Sequence, residues 1–317
     1  MDRDLIGYGG RPPHPQWPGG ARVALQCVLN VEEGAESSVL NGDAGSEAYL
    51  HELYGRPSRV GARDPSVESL YGYGSRAGVW RVLDLFAERG LPLTAFAVGR
   101  ALELNPRVGE ALRDAGHEVA GHGWRWIDHH GLPEDVEREH IRRTVSVIER
   151  ICGRRPVGWY AGRQSLNTRR LVREEGFLYA SDAYDDDLPY WAIDAAPVMP
   201  PGALGESPAA EHRAQPLLVV PYTLVVNDAR YLMPTGFASG DDFFAMLRDA
   251  LDQLRHEGAR APKMMSVGLH GRISGQPARA QALARFLDYA CGFDDVWICR
   301  REDIARHWRN THPPDAG

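Results

Sequence analysis

Cysteine is scarce in this chain. Cys27, Cys152, Cys291 and Cys299 are four of 317 residues. They lack the close paired spacing of a zinc ribbon or a disulfide framework and read as reduced thiols. No apolar run approaches the roughly 20 residues of a membrane span. The opening residues carry no apolar signal-peptide core, so we expect a soluble cytoplasmic protein. Cationic clusters are also missing: 36 Lys and Arg face 43 Asp and Glu, a net charge of −7, which argues against nucleic acid or an anionic membrane as partner. The glycine-rich Gly-x-Gly-x-x-Gly turn of dinucleotide-binding sheets does not follow the first apolar run. One absence is local. His122 lies in the stretch His117-Glu-Val-Ala-Gly-His-Gly-Trp-Arg-Trp126, where a second histidine at 126 would complete a metal clamp. That position holds Trp126, which has no lone pair to give.

What is present is an alternation. Apolar strands are expected over 23–30, 93–98, 118–120, 157–160, 177–181, 217–226, 264–269 and 296–299. Helical patterns lie between them, over 76–89, from a cap at Asn105-Pro106 to Gly116, then over 133–152, 167–175, 241–257 and 277–290, with a last one from Arg301. Such alternation predicts a parallel sheet with helical crossovers. Its seven or eight repeats favour a closed, irregular barrel over an open sheet. We read an N-terminal arm over 1–20, one α/β domain over 21–312 as a distorted (β/α)7–8 barrel, and a tail over 313–317. Residues 34–74 form a polar excursion, and Ala195 to Gln215 reads as a surface loop.

Barrel active sites gather at the carboxyl ends of the strands, and polar residues gather there in this sequence. The first strand runs into Asn30-Val-Glu32-Glu33-Gly34, the third into His122 and the fourth into Arg163. The fifth leads to Asp185-Asp186-Asp187, the sixth to Asn227-Asp228 and the seventh to His270-Gly-Arg272. Each has an ordinary reading: a solvated glutamate pair, interior histidines with satisfied nitrogens, an arginine bridging loop carboxylates, an acidic surface cluster. Six strand ends with the same bias favour a site. A carboxylate in a partly dry pocket can act as general base. The pair His129-His130 lies farther from its strand and reads as exposed.

In this order the motifs resemble the polysaccharide deacetylase superfamily, a distorted seven- or eight-stranded β/α barrel. Val31-Glu32-Glu33-Gly34 stands at that family's Phe-Asp-Asp-Gly motif, whose first Asp is the base and second a metal ligand. His122-Gly-Trp-Arg-Trp126 stands at its His-x-x-x-His, Arg163-Gln-Ser at its Arg-x-Pro, and Val267-Gly-Leu-His270 at its closing Leu-x-His. Two metal positions are replaced, by Glu33 and Trp126. Those replacements, and runs such as Tyr184-Asp-Asp-Asp-Leu-Pro-Tyr-Trp191, resemble the metal-independent bacterial allantoinase branch. The resemblance implies a cytoplasmic homo-oligomer, usually a tetramer, that opens allantoin to allantoate in purine breakdown.

The expected chemistry is hydrolysis of a cyclic amide or ureide without cofactor. Glu32 is the expected base, with either carboxylate of the Glu32-Glu33 pair open to that role. His270 or His122 would stabilise the oxyanion or protonate the leaving nitrogen. Asn30, Glu33, Trp126, Tyr160, Arg163, Asp185, Asp186, Trp191 and Asn227 are the expected substrate contacts. One rival restores a divalent metal such as zinc through Glu33, His122 and His129 or His270, in a cyclic-imide hydrolase or N-deacetylase. The other is a non-catalytic ligand-binding barrel.

Overall fold

A computed structural model describes residues 4–192 and 216–314, and the loop expected over 195–215 lies outside them. Among the described residues nine strands form one curled sheet in the order β6-β7-β5-β4-β3-β2-β1-β8, with β9 against the start of β1. The strands are β1 (Val23–Val31), β2 (Thr94–Ala97), β3 (Glu118–Gly121), β4 (Gly158–Trp159), β5 (Tyr179–Ala180), β6 (Tyr190–Ala192), β7 (Leu217–Val219), β8 (Lys263–His270) and β9 (Val296–Ile298). All pairings are parallel except β6 with β7. Strand β1 is central. It pairs with β8 from Val23 to Asn30 on one side, and on the other is shared by β9 at its start and β2 at its end. All nine of its residues are buried, as two-sided packing of a parallel strand requires.

Helices wrap the sheet: α1 (Pro65–Tyr73), α2 (Val79–Ala87), α3 (Gly99–Leu104), α4 (Pro106–Asp114), α5 (Glu134–Cys152), α6 (Thr168–Glu174), α7 (Gly240–Glu257), α8 (Gly271–Ser274), α9 (Pro277–Cys291) and α10 (Arg301–Thr311). The longest, α5, shows why they form where the sequence predicts. Its first turn carries Glu134, Asp135 and Glu137, which suit the positive end of the helix dipole, and Gly153 ends it in the left-handed conformation. Ile141, Val145, Ile148 and Cys152 fall on one stripe that turns inward.

Several expectations need correction. The strand expected over 217–226 stops at Val219. Pro221 has no N–H for a ladder, and the carbonyls of Val220 and Pro221 accept instead from the Arg301 guanidinium. The chain then makes helical turns at Leu224–Val226 and Asp228–Leu232, and touches β8 again at the bridge between Asn227 and Gly268. The excursion 34–74 is not featureless. It contains α1, started by Pro65 and capped by Asp64, whose carboxylate accepts from the Ser66 and Val67 N–H groups. A π-helical turn at Gly74–Gly78 joins α1 to α2. Asn105 does not cap α4 through its side chain; its amide donates to Ser75. The antiparallel β6 has no counterpart in the sequence reading.

Candidate active site

Three strand ends converge on Glu32. It leaves β1 after Val31, His122 leaves β3 after Gly121, and His270 closes β8 in register with Asn30. Gly123, at φ +83°, turns the chain sharply once His122 is placed. Glu32 Oε1 lies 3.2 Å from His122 Nε2 and 3.4 Å from His270 Nε2. All three residues are at most 4% exposed. His122 Nδ1 donates to the Tyr160 carbonyl at 2.7 Å, which commits that nitrogen and leaves Nε2 for Glu32. The Tyr160 ring stacks on His122 with centroids 5.1 Å apart.

Asp228 stands behind His270. Its Oδ1 receives the Nδ1 proton at 2.6 Å, while Oδ2 accepts from the His270 N–H at 2.7 Å and from the Ser274 hydroxyl at 2.6 Å. Burial works against a charge on His270, but Glu32 and Asp228 on either side outweigh it and push its pKa up to about 9. Burial likewise opposes charge on Glu32. The facing His270, Arg272 and His122 overcome that and hold its carboxyl well below the usual range. Glu33 goes the other way: burial and the neighbouring Glu32 charge raise its pKa against the pull of Arg272. The arrangement therefore pairs a carboxylate base with an imidazolium acid at one point.

Arg272, two residues past His270, was not among the expected site residues. Its Nη1 is 2.8 Å from Glu32 Oε2 and 3.6 Å from Glu33 Oε1. The guanidinium stacks over Tyr71 at 4.4 Å and over Trp126 at 5.2 Å. Trp126 also stacks on Tyr49 at 6.0 Å, and its carbonyl accepts from Arg163 Nη2 at 2.9 Å. The excursion thus supplies Tyr49 and Tyr71 to the site wall. Asn30 is buried beside His270 and donates to the Leu269 carbonyl. Asn227 sits at the bridge to β8, donating to Tyr222 and capping the turn at Ala229.

Other expected residues lie elsewhere. Asp185 is exposed and accepts from Tyr190, while Asp186 accepts from the Leu188 N–H. The acidic residue of that loop turned inward is Asp182, which holds the Ala161 and Gly162 N–H groups. Trp191 donates to the His312 carbonyl and packs with the cluster around Trp17 and Trp308. His129 is buried rather than exposed, with Nδ1 3.6 Å from Glu137 Oε1, and only His130 faces solvent. Asp228 and Arg272 were signalled only by following strand ends directly.

The donor set does not fit a metal. Trp126 occupies one ligand position, His129 turns to Glu137, and a guanidinium already lies against both glutamates. Among the described residues no group of three or more His, Cys, Asp or Glu side chains is arranged to hold a metal ion.

Residues 60–179 match the polysaccharide deacetylase family model. A Schizosaccharomyces pombe protein provisionally described as a polysaccharide deacetylase is 42% identical over 98% of both chains. A Pseudomonas aeruginosa crystal structure with the same provisional description is 53% identical, with TM-score 0.91 over 99% of this chain and 100% of that one. The crystal structure of PuuE allantoinase is 53% identical as well, with TM-score 0.90 over 99% of each chain. Sharing the barrel and the sequence of these relatives almost end to end, the chain belongs to the polysaccharide deacetylase family.

Proposed function

We propose that this protein is a hydrolase that opens a cyclic ureide, allantoin to allantoate, without a metal. The observation that carries the reading is Glu32 Oε1 facing His122 and His270 together, with Asp228 behind the second. The 53% identity with PuuE allantoinase, spread over the whole chain, supports the choice of substrate.

In this reading Glu32 takes a proton from water as the water oxygen attacks a ring carbonyl. With Nδ1 donating to Tyr160, His122 Nε2 accepts the second hydrogen of the water and orients it, and the His270 imidazolium stabilises the tetrahedral oxyanion. The C–N bond breaks as His270 Nε2 gives its proton to the departing ring nitrogen, so that one water is added across one bond. Glu32 is then protonated and His270 neutral. Their 3.4 Å separation lets the proton return directly and resets the pair. Trp126 and Tyr160 wall the site with flat apolar faces suited to a planar ring, and Asn30 and Arg163 lie within it as polar partners.

The test is a panel of allantoin, hydantoin, dihydrouracil and succinimide, with and without a chelator, run on the parent and on Glu32→Gln. The parent should open the five-membered ureide in both conditions. Glu32→Gln should lose about 10²- to 10⁴-fold in kcat while keeping its circular dichroism spectrum. Near-parental turnover by the variant removes Glu32 from the role, and chelator-sensitive turnover removes metal independence.

A further inference from the structure

We propose that Arg272 is a positioning residue for this reaction: its guanidinium holds the adjacent carboxylates Glu32 and Glu33 side by side and balances their charge. The assignment rests on the ring-opening reading above.

Glu32 and Glu33 are consecutive and both buried, and two carboxylates this close cannot both stay ionised in a dry site without a cation. The His270 imidazolium faces Glu32, and Arg272 is the cation that faces both glutamates. It is 4% exposed, and Nη1 reaches one oxygen of each glutamate. A guanidinium suits the place because it is planar, stays charged when buried and stacks on aromatic faces, here Tyr71 and Trp126. Its contact with the glutamates is one of charge more than of direction, since neither Nη1 nor Nη2 makes a well-angled hydrogen bond.

The surroundings hold the guanidinium in one place. Nε donates to the Leu50 carbonyl at 3.3 Å. Leu50 presents that carbonyl from the left-handed region, at φ +53°, a conformation a leucine adopts only under constraint. Gly74 lets the π-helical turn close on both Glu33 and the Arg272 backbone, with no side chain in between. The substituted position 126 takes part as well, because Trp126 gives the guanidinium a face to lie on. Tryptophan at that position and arginine at 272 form one unit.

Three variants test this: Arg272→Met, Arg272→Lys and Arg272→Ala, each checked for folding by circular dichroism and melting. Arg272→Met should lower kcat at least about 100-fold with KM changed much less. Arg272→Lys keeps the charge but loses the planar face stacked on Tyr71 and Trp126 and the Nε bond to Leu50, so its kcat should fall between Met and the parent. Added guanidinium ion should restore part of the activity of Arg272→Ala. Folded Met and Lys variants with parental kcat, or equal losses in all three without rescue, overturn the proposal. If the parent itself opens no ring in the panel, the ring-opening reading fails separately. Infrared or carbon NMR signals of the glutamates then decide on Arg272: one carboxylate should become protonated at neutral pH in Arg272→Met, and unchanged ionisation overturns the proposal.

Discussion

His270 takes its charge state from Glu32 and Asp228 together, and the second link can be measured. With its pKa near 9 it is an imidazolium at neutral pH. An acid that must be protonated to work loses activity as pH rises through that value, so kcat/KM should fall on the alkaline side near pH 9. The same raised pKa stabilises the fold; that contribution is complete below the free-histidine value of about 6.5 and disappears as pH rises through about 9. Asp228→Asn keeps an oxygen for the His270 and Ser274 donors but turns an amide N–H toward His270 Nδ1. The alkaline limb should then move down from about 9, while Glu32 keeps part of the shift in place. A limb that stays near 9 in the variant would show that Asp228 does not set the charge. At this scale the sequence displayed the core of the site, because Glu32, His122 and His270 each follow an apolar strand directly. It placed Arg272 at a strand end but gave no sign of its role, because its partners are 240 and 239 positions away in the chain. It misdirected at Asp185 and Asp186, since an acidic run marks a turn as readily as a pocket and the backbone aims only Asp182 inward.

Among the elements, the join between α1 and α2 matters most to the site. A Cβ built on Gly74 would overlap Glu33 Oε1 and lie 2.8 Å from the Arg272 amide nitrogen. Gly74 itself has ordinary helical angles, φ −56° and ψ −49°, so alanine there meets a contact and no backbone penalty. Gly72, two residues earlier, would meet nothing within 4 Å. Gly74→Ala should therefore reduce kcat by displacing Glu33, and cost about 1–3 kcal/mol of stability from overpacking. Gly72→Ala should keep full activity and gain up to about 1 kcal/mol from helix propensity. Urea denaturation with kcat for both variants checks the pair, and equal behaviour would mean that Gly74 is only a helix residue. This element was not legible in advance. Gly72, Gly74 and Gly78 weaken the helical pattern of 65–78, and the reason for the last two is a close approach to residues far along the chain. Strands and long helices were legible, because their apolar periods are set locally, whereas β7 was cut short by contacts from Arg301.

Across the whole molecule the barrel interior is layered, and one of its lower layers is polar. Arg301 is fully buried; its guanidinium donates to Gln26 on β1, Ser266 on β8, Ser181 after β5, and the Val220 and Pro221 carbonyls after β7. Nearby, Glu118 accepts from Thr94, Tyr179 and the Glu302 N–H. Above lies an apolar layer of Val28, Phe96, Ala120, Tyr160 and Tyr222, and above that the Glu32 group. One side chain thus ties together strands from both sides of the curled sheet, at the seam where regular pairing gives way to the single Asn227–Gly268 bridge. Arg301→Met would fill much of the volume but leave several buried acceptors without donors. We expect a loss of about 3–5 kcal/mol, the cost of breaking a buried charged network by removing one member. Gln26 precedes Asn30 by four residues on β1, roughly 13 Å at strand spacing, so the damage is remote from Glu32. The denaturation midpoint should fall while kcat, measured well below melting, stays within about twofold of the parent. A folded variant with parental stability would show that the barrel closes without Arg301. A stable variant with depressed kcat would instead make the lower layer part of the site, coupled to it through the Phe96, Tyr160 and Tyr222 rings.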